Sequence, residues 1–246
     1  MSSYTFRPRH LWSAVPLGVL ALLAGLIIAY SPAAGSSPSA AGPQAVSALA
    51  SAHDHSGGSD ANSGKVAASQ AALRQAMRTL WAQHMEWTRL AVVDFASGSA
   101  GFPTTASRLL QNQADIGNAI KPFYGNAAGD QLTTLLKAHI TDFVTLFQAA
   151  KANDATALKS ATSAVYANAQ QIADFLAKAN PKFWPQQEMR DMMKEHIDQT
   201  IAYGGDELAG NFAHGITVYD QAEAHMLMVA DDLSAGIIGA FPNMFH

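Results

Sequence analysis

Three histidines stand in matching phrases, Leu80-Trp81-x-x-His84-Met85, Leu135-Leu136-x-x-His139-Ile140 and Met192-Met193-x-x-His196-Ile197. They lie 55 and 57 residues apart, and after 31, 35 and 35 residues each is followed by an aspartate: Asp115, Asp174 and Asp231. Imidazole is an ordinary ligand for Zn, Cu, Fe and Ni, and bundles commonly carry such ligands on facing inner positions. Residues three and four apart share a helix face. His84 therefore stands with Leu80, Trp81, Trp87 and Thr88, His139 with Leu135, Leu136, Phe143 and Leu146, and His196 with Met192, Met193 and Thr200. All three point towards an apolar core. There an imidazole is either a metal ligand or a core side chain held by a carboxylate or carbonyl.

Counting outward from each expected turn decides which groups could meet. His196 lies 14 residues before Gly210 and His225 lies 15 after it, so the two share a height. Met192 and Met228 flank them, and two imidazoles with two thioethers would suit copper. Methionine is equally a filler of core gaps. The same count sets roughly Asn168 opposite His139 and roughly Asp115 opposite His84. Asp174 and Asp231 fall about one and a half turns, ~8 Å, off level. A site of three His and three Asp thus needs ligands from different hairpins. The candidate metal residues are His84, His139, His196, His225, Asp115, Asp231, Met192 and Met228, for Zn, Fe or Cu. Haem ligation by two core histidines needs no local motif and is a further candidate.

Other chemistry is poorly represented. No Glu-x-x-His pair, His-Glu-x-x-His motif, Gly-x-Ser-x-Gly elbow or phosphate loop occurs, which argues against di-iron, zincin, serine-hydrolase and nucleotide chemistry. Trp81, Trp87 and Arg89 either line a pocket in which Arg89 recognises an anion, or form core with Arg89 paired to an acid. His53-Asp54-His55, near Asp60, reads as a metal-capturing tract or as polar linker.

The elements that must position these groups are helical, since no segment alternates with period two. The pattern expects helices over about Val66–Ser97, from Thr104 through Leu110, Asp115–Tyr124, Asp130–Ala152, from Asp154 to Ala179, from Pro185 to Leu208, and from Asn211 to Gly239. The second arm of the first hairpin is expected to break near Asn112–Gly117. Gly204-Gly205 marks close packing or a bend, and Phe245-His246 a frayed end. Asn180-Pro181 and Pro185 stop and start helices through their fixed backbone preferences. A period in the fifties made of helical sequence implies one hairpin per repeat. The expected fold is all-α, an up-and-down helical bundle of three helical-hairpin repeats over residues 66–246.

Ahead of it, Arg7, Arg9 and His10 precede an uncharged apolar run from about Ala14 to Tyr30. That run sits at the lower limit for spanning ~30 Å of hydrocarbon and exceeds a usual signal-peptide core. Residues 1–30 are thus expected to be a membrane anchor, or a signal segment cleaved within the small residues that follow. The positive-inside rule places everything downstream outside the cytoplasm, attached to the membrane or secreted. Residues 31–65, rich in Ser, Ala, Gly and Pro, read as a flexible tether. The net charge of −4 and the absence of a basic stripe argue against nucleic acid. With no cysteine there is no disulfide, thiolate ligand or lipidated cysteine.

Leu80-Trp81-Ala82-Gln83-His84-Met85-Glu86-Trp87-Thr88-Arg89, Arg108-Leu109-Leu110-Gln111-Asn112 and Lys121-Pro122-Phe123-Tyr124-Gly125 resemble a family of uncharacterised bacterial helical proteins. The resemblance spans about residues 75–242 and implies no established activity. Members labelled glycosyltransferase or acetylglutamate kinase would need nucleotide-binding α/β folds, which this pattern lacks. The expectation is an exported, membrane-tethered binding domain, not an enzyme, that takes a metal ion or small ligand through its core histidines. The alternative is a purely structural or protein-interaction bundle without a ligand.

Overall fold

The structure, a computed structural model, describes residues 60–245. The apolar run, the tract His53-Asp54-His55 and His246 lie outside the described residues. Among those described there are six α-helices, one short 3₁₀ turn and no strand: α1 (Asp60–Ser97), α2 (Phe102–Tyr124), α3 (Asn126–Lys151), α4 (Ala155–Ala179), α5 (Gln186–Ala209) and α6 (Phe212–Ala240). Each packs on the next, and α6 returns to lie on α1. α5 also touches α1 and α3 across the middle. The result is a closed up-and-down bundle of three helix pairs. No described helix is long and apolar enough to cross a membrane.

Local chemistry explains the ends. Gly125 (φ 83°) and Gly210 (φ 77°) take the positive φ that turns the chain at little cost. The Asp154 carboxylate caps α4 by accepting from the backbone N–H of Thr156 and Ala157 at 3.1 and 2.9 Å. The core runs the length of the bundle through Met77, Ile116, Val165, Ile172, Ile197, Met226 and Ile237, all fully buried.

Three expectations are corrected. α2 is unbroken, because the residues that look like a break work inside it. Asn112 and Gln113 are fully buried and hydrogen-bond to α1. Gly117 lets α3 approach: a Cβ there would stand 2.0 Å from Thr133 Oγ1 and 2.6 Å from the Gly129 carbonyl oxygen. The C-terminus is not frayed at Phe245, which is buried and stacked on Phe123, with ring centres 6.1 Å apart. Finally, α1 starts at Asp60 rather than near Val66.

Gly204-Gly205 lies within an unbroken α5, and the two glycines differ. A Cβ on Gly204 would meet the Phe147 ring at 2.2 Å, whereas one on Gly205 has nothing within 4 Å. Gly204→Ala should therefore lower stability in urea unfolding by ~1–3 kcal/mol through overpacking. Its neighbour, Gly205→Ala, should raise it by ~0.5–1 kcal/mol through helix propensity. Equal effects from the two would contradict this packing of α3 on α5.

Candidate functional site

Each helix pair is tied by a polar side chain on its returning arm. Its target is the carbonyl four residues before the histidine. Asn112 Nδ2 donates to the Leu80 carbonyl at 3.0 Å, Asn168 Nδ2 to the Leu135 carbonyl at 3.1 Å, and His225 Nε2 to the Met192 carbonyl at 3.0 Å. A helical carbonyl has a second lone pair free for such a bond.

The same region of the returning arm addresses the histidine rings, with one difference in each pair. In the first, Gln113 Nε2 lies 3.2 Å from His84 Nδ1 and also donates to the Leu109 carbonyl at 2.8 Å, so His84 Nδ1 accepts. In the second, one amide does both tasks: with Nδ2 committed to Leu135, Asn168 presents Oδ1 to His139 Nδ1 at 3.0 Å. His139 therefore carries its proton on Nδ1 and a lone pair on Nε2. In the third, an imidazole replaces the amide. His225 uses Nε2 on the carbonyl, and His196 Nδ1, fully buried, is left without a partner among the described residues.

The three histidines meet at the bundle centre. His196 is flanked by His84 and His139, with ring centres 5.7 and 5.6 Å away, while the Trp81 ring packs edge-on against His84 with centres 5.7 Å apart. All three line one cavity of about 50 Å³, walled by apolar groups such as Val92, Leu109, Phe143 and Phe147, with Thr88 and Thr200 among them. No acidic residue lines it among those described. Thr88 Oγ1 and Gln113 Oε1 are also buried without partners among the described residues, an unusual density of unmet polar atoms for a native core. By volume the space admits on the order of three or four waters and is a third of the ~150 Å³ that takes benzene. A haem macrocycle is far larger than that space.

Burial, with no carboxylate to offset it, keeps the imidazoles neutral. Desolvation is the main cause at each. It pushes His84 down to about 3, with the neighbouring His139 adding to the effect, and His139 down to about 4 against its bond to Asn168. His196 is pushed well below the usual histidine range by burial and then by the other three histidines.

The remaining candidates are placed elsewhere. Asp115 lies 3.7 Å from Arg108 at the surface and accepts from Gln111; it does not reach His84, whose partner is Gln113. Asp231 binds Arg78 at 2.6 Å, and Asp174 holds Arg190 with two bonds of 2.8 Å. Asp174 and Asp231 thus join neighbouring helix pairs on the outside, whereas the partners of Asp115 lie on its own helix α2. Met192 and Met228 line an outer groove between α5 and α6 with Phe183, Glu188, Asp191 and Asp232, apart from His196 in the cavity. His225 lines neither, bonding the Met192 carbonyl through Nε2 with its Nδ1 3.7 Å from Glu195. Two His and two Met therefore do not surround one point. Nor do three His, Asp or Glu side chains among the described residues form a ready metal sphere. Trp81 is core, Trp87 lies under Arg108 at 5.2 Å, and Arg89 covers the Tyr219 ring at 5.1 Å. Sequence counting missed Gln113 and the carbonyl ties; the common 29-residue step from His84 to Gln113, His139 to Asn168 and His196 to His225 was the available signal.

Compared with protein-family models, curated proteins and solved structures, the chain matches none.

The histidines fix the sign of the acid response. A group held neutral in the fold and titrating near 6.5 when unfolded costs nothing above that pH. Below it the unfolded chain alone takes up protons, so stability falls with pH until the folded values are reached. Three such groups give a slope approaching ~4 kcal/mol per pH unit between about pH 6 and 4, large against a total of ~5–15 kcal/mol. Urea midpoints should fall steeply across that window, and His139→Gln should make the fall shallower by about a third. Unchanged midpoints from pH 7 to 4.5 would show these imidazoles to be solvated.

Proposed function

We propose that this chain is a membrane-tethered domain outside the cytoplasm that binds a transition-metal ion, Zn, Fe or Cu, in its central histidine cavity, and that it is not an enzyme. The observation that supports this most is the set of neutral imidazoles around one small space, with His139 oriented by an amide that bonds its other nitrogen. That is the usual support of a metal-ligating histidine. Magnitudes favour an ion over an organic guest. At a ceiling of about −1.5 kcal/mol per non-hydrogen atom, a guest of about three atoms gains ~4.5 kcal/mol, a dissociation constant near ~1 mM. Only coordination makes so small a guest tight.

The structural alternative also has an observation in its favour, because the residues around the histidines are those that stitch each helix pair. Elemental analysis and metal titration of full-length, tag-free protein in detergent separate the two readings. Metal binding is expected near one ion per chain, weakened at least tenfold by His139→Gln or His196→Gln and unchanged by His214→Ala. The His214 ring is exposed and bonds Asp206. Absence of any bound or bindable metal would leave the structural reading.

Arg7 and Arg9 ahead of the run at 14–30 support the tether and its direction. Protease added to intact cells should therefore remove the helical domain while the chain resists carbonate extraction. Recovery of the domain in the cytosol would refute this placement.

A further inference from the structure

Resting on that metal-binding reading, we infer that the ion is soft and monovalent, Cu(I) or its redox-inert analogue Ag(I), held in low coordination between His139 and His196. Three observations select this pair. Asn168 fixes the His139 proton on Nδ1 and leaves the Nε2 lone pair available. His196 has a buried Nδ1 with no partner among the described residues. The ring centres stand 5.6 Å apart. An ion ~2.0 Å from each of two ring nitrogens sets the centres about 6 Å apart when the three are in line, and less when bent. His84, on the other side of His196 at 5.7 Å, is differently prepared: its Nδ1 lone pair already accepts from Gln113.

The charge follows from the walls. No described acidic residue lines the cavity, so nothing nearby compensates a cation. The cost of transferring an ion into such a medium grows with the square of its charge, about fourfold from monovalent to divalent, on a scale already of many kcal/mol. Zn(II) and Fe(II) also demand four or more ligands. Among the described residues no three His, Asp or Glu side chains are placed to hold one ion together, and His84, though it lines the same cavity, has its Nδ1 lone pair taken by Gln113. A d¹⁰ monovalent ion meets both limits, because two neutral imidazoles suffice for it. It binds as supplied, with no electron transfer.

The test uses full-length protein in detergent, labelled with ¹⁵N-histidine and titrated separately with Ag(I) and Zn(II) in chloride-free buffer. Ag(I) is expected to bind one per chain at least a hundredfold more tightly than Zn(II). Two ring-nitrogen resonances should shift strongly on Ag(I) addition, and assignment to His139 and His196 is expected from their loss in His139→Gln and His196→Gln. The same titration of full-length His53→Gln/His55→Gln keeps the test decisive if a cavity variant fails to fold, because two imidazoles must still shift once that tract is removed. Tighter Zn(II) than Ag(I) binding at these histidines would overturn this inference and leave the metal-binding reading intact. Failure of both ions to bind would overturn both. Ag(I) binding that shifts no imidazole and disappears in Met192→Leu/Met228→Leu would assign the ion to the outer groove and also overturn the inference.

Discussion

The bundle depends on a hydrogen bond made at mid-height in each helix pair, from a returning-arm side chain to the carbonyl four residues ahead of the histidine. That carbonyl already accepts the histidine's own backbone N–H, as every helical carbonyl does. Its second lone pair takes the cross-arm donor without cost to the helix. Apolar ridges alone allow one helix to slide along another by small steps. A buried donor with one acceptor does not, because losing the bond underground costs ~1–3 kcal/mol. The bond therefore sets register, and register brings His84, His139 and His196 to one level.

Within this common frame the three pairs differ in what they leave over. Gln113 and Asn112 share two tasks, Asn168 performs both, and His225 performs one. An amide offers a donor and an acceptor a short distance apart, so Asn168 can bond a carbonyl and a ring N–H together. An imidazole's two nitrogens point in diverging directions, and His225 reaches only the carbonyl. The consequence is local asymmetry: His84 accepts, His139 donates, and His196 between them has no partner for its Nδ1 among the described residues. Any chemistry of the cavity starts from that asymmetry and not from threefold repetition.

The outside of the bundle uses repetition differently. Arg78 and Arg190 each lie six residues before their histidine and each pairs with a repeated aspartate of the preceding helix pair around the ring, Asp231 and Asp174. Exposed pairs of this kind are worth ~0–1 kcal/mol. Between the first and second pairs the corresponding contact is the close approach at Gly117 and Gly129, with Lys121 bonded to Asp130 nearby. Two of the aspartates that recur with the histidines in sequence, Asp174 and Asp231, thus orient neighbouring pairs away from the cavity, while Asp115 pairs within its own helix.

Much of this was legible from the chain alone. Helical periodicity, Gly and Pro punctuation and the even histidine spacing sufficed for the helix order, the all-α class and the inward face of the three histidines, because all of these are local properties of a 3.6-residue repeat. Counting heights also found Asn168 opposite His139. It chose Asp115 over Gln113 for His84, since a count good to a residue or two spans more than half a turn and cannot say which side chain faces inward. It read Asn112–Gly117 as a break because polar and glycine residues end helices in isolation; only the neighbours α1 and α3 turn them into ties and a close contact. The sequence by itself determined which faces are buried. Which buried nitrogen has a partner, and that Met192 and Met228 line an outer groove apart from His196, was decided only when six helices packed at fixed registers, since hydrogen bonding depends on angstrom-scale distances between residues far apart in the chain.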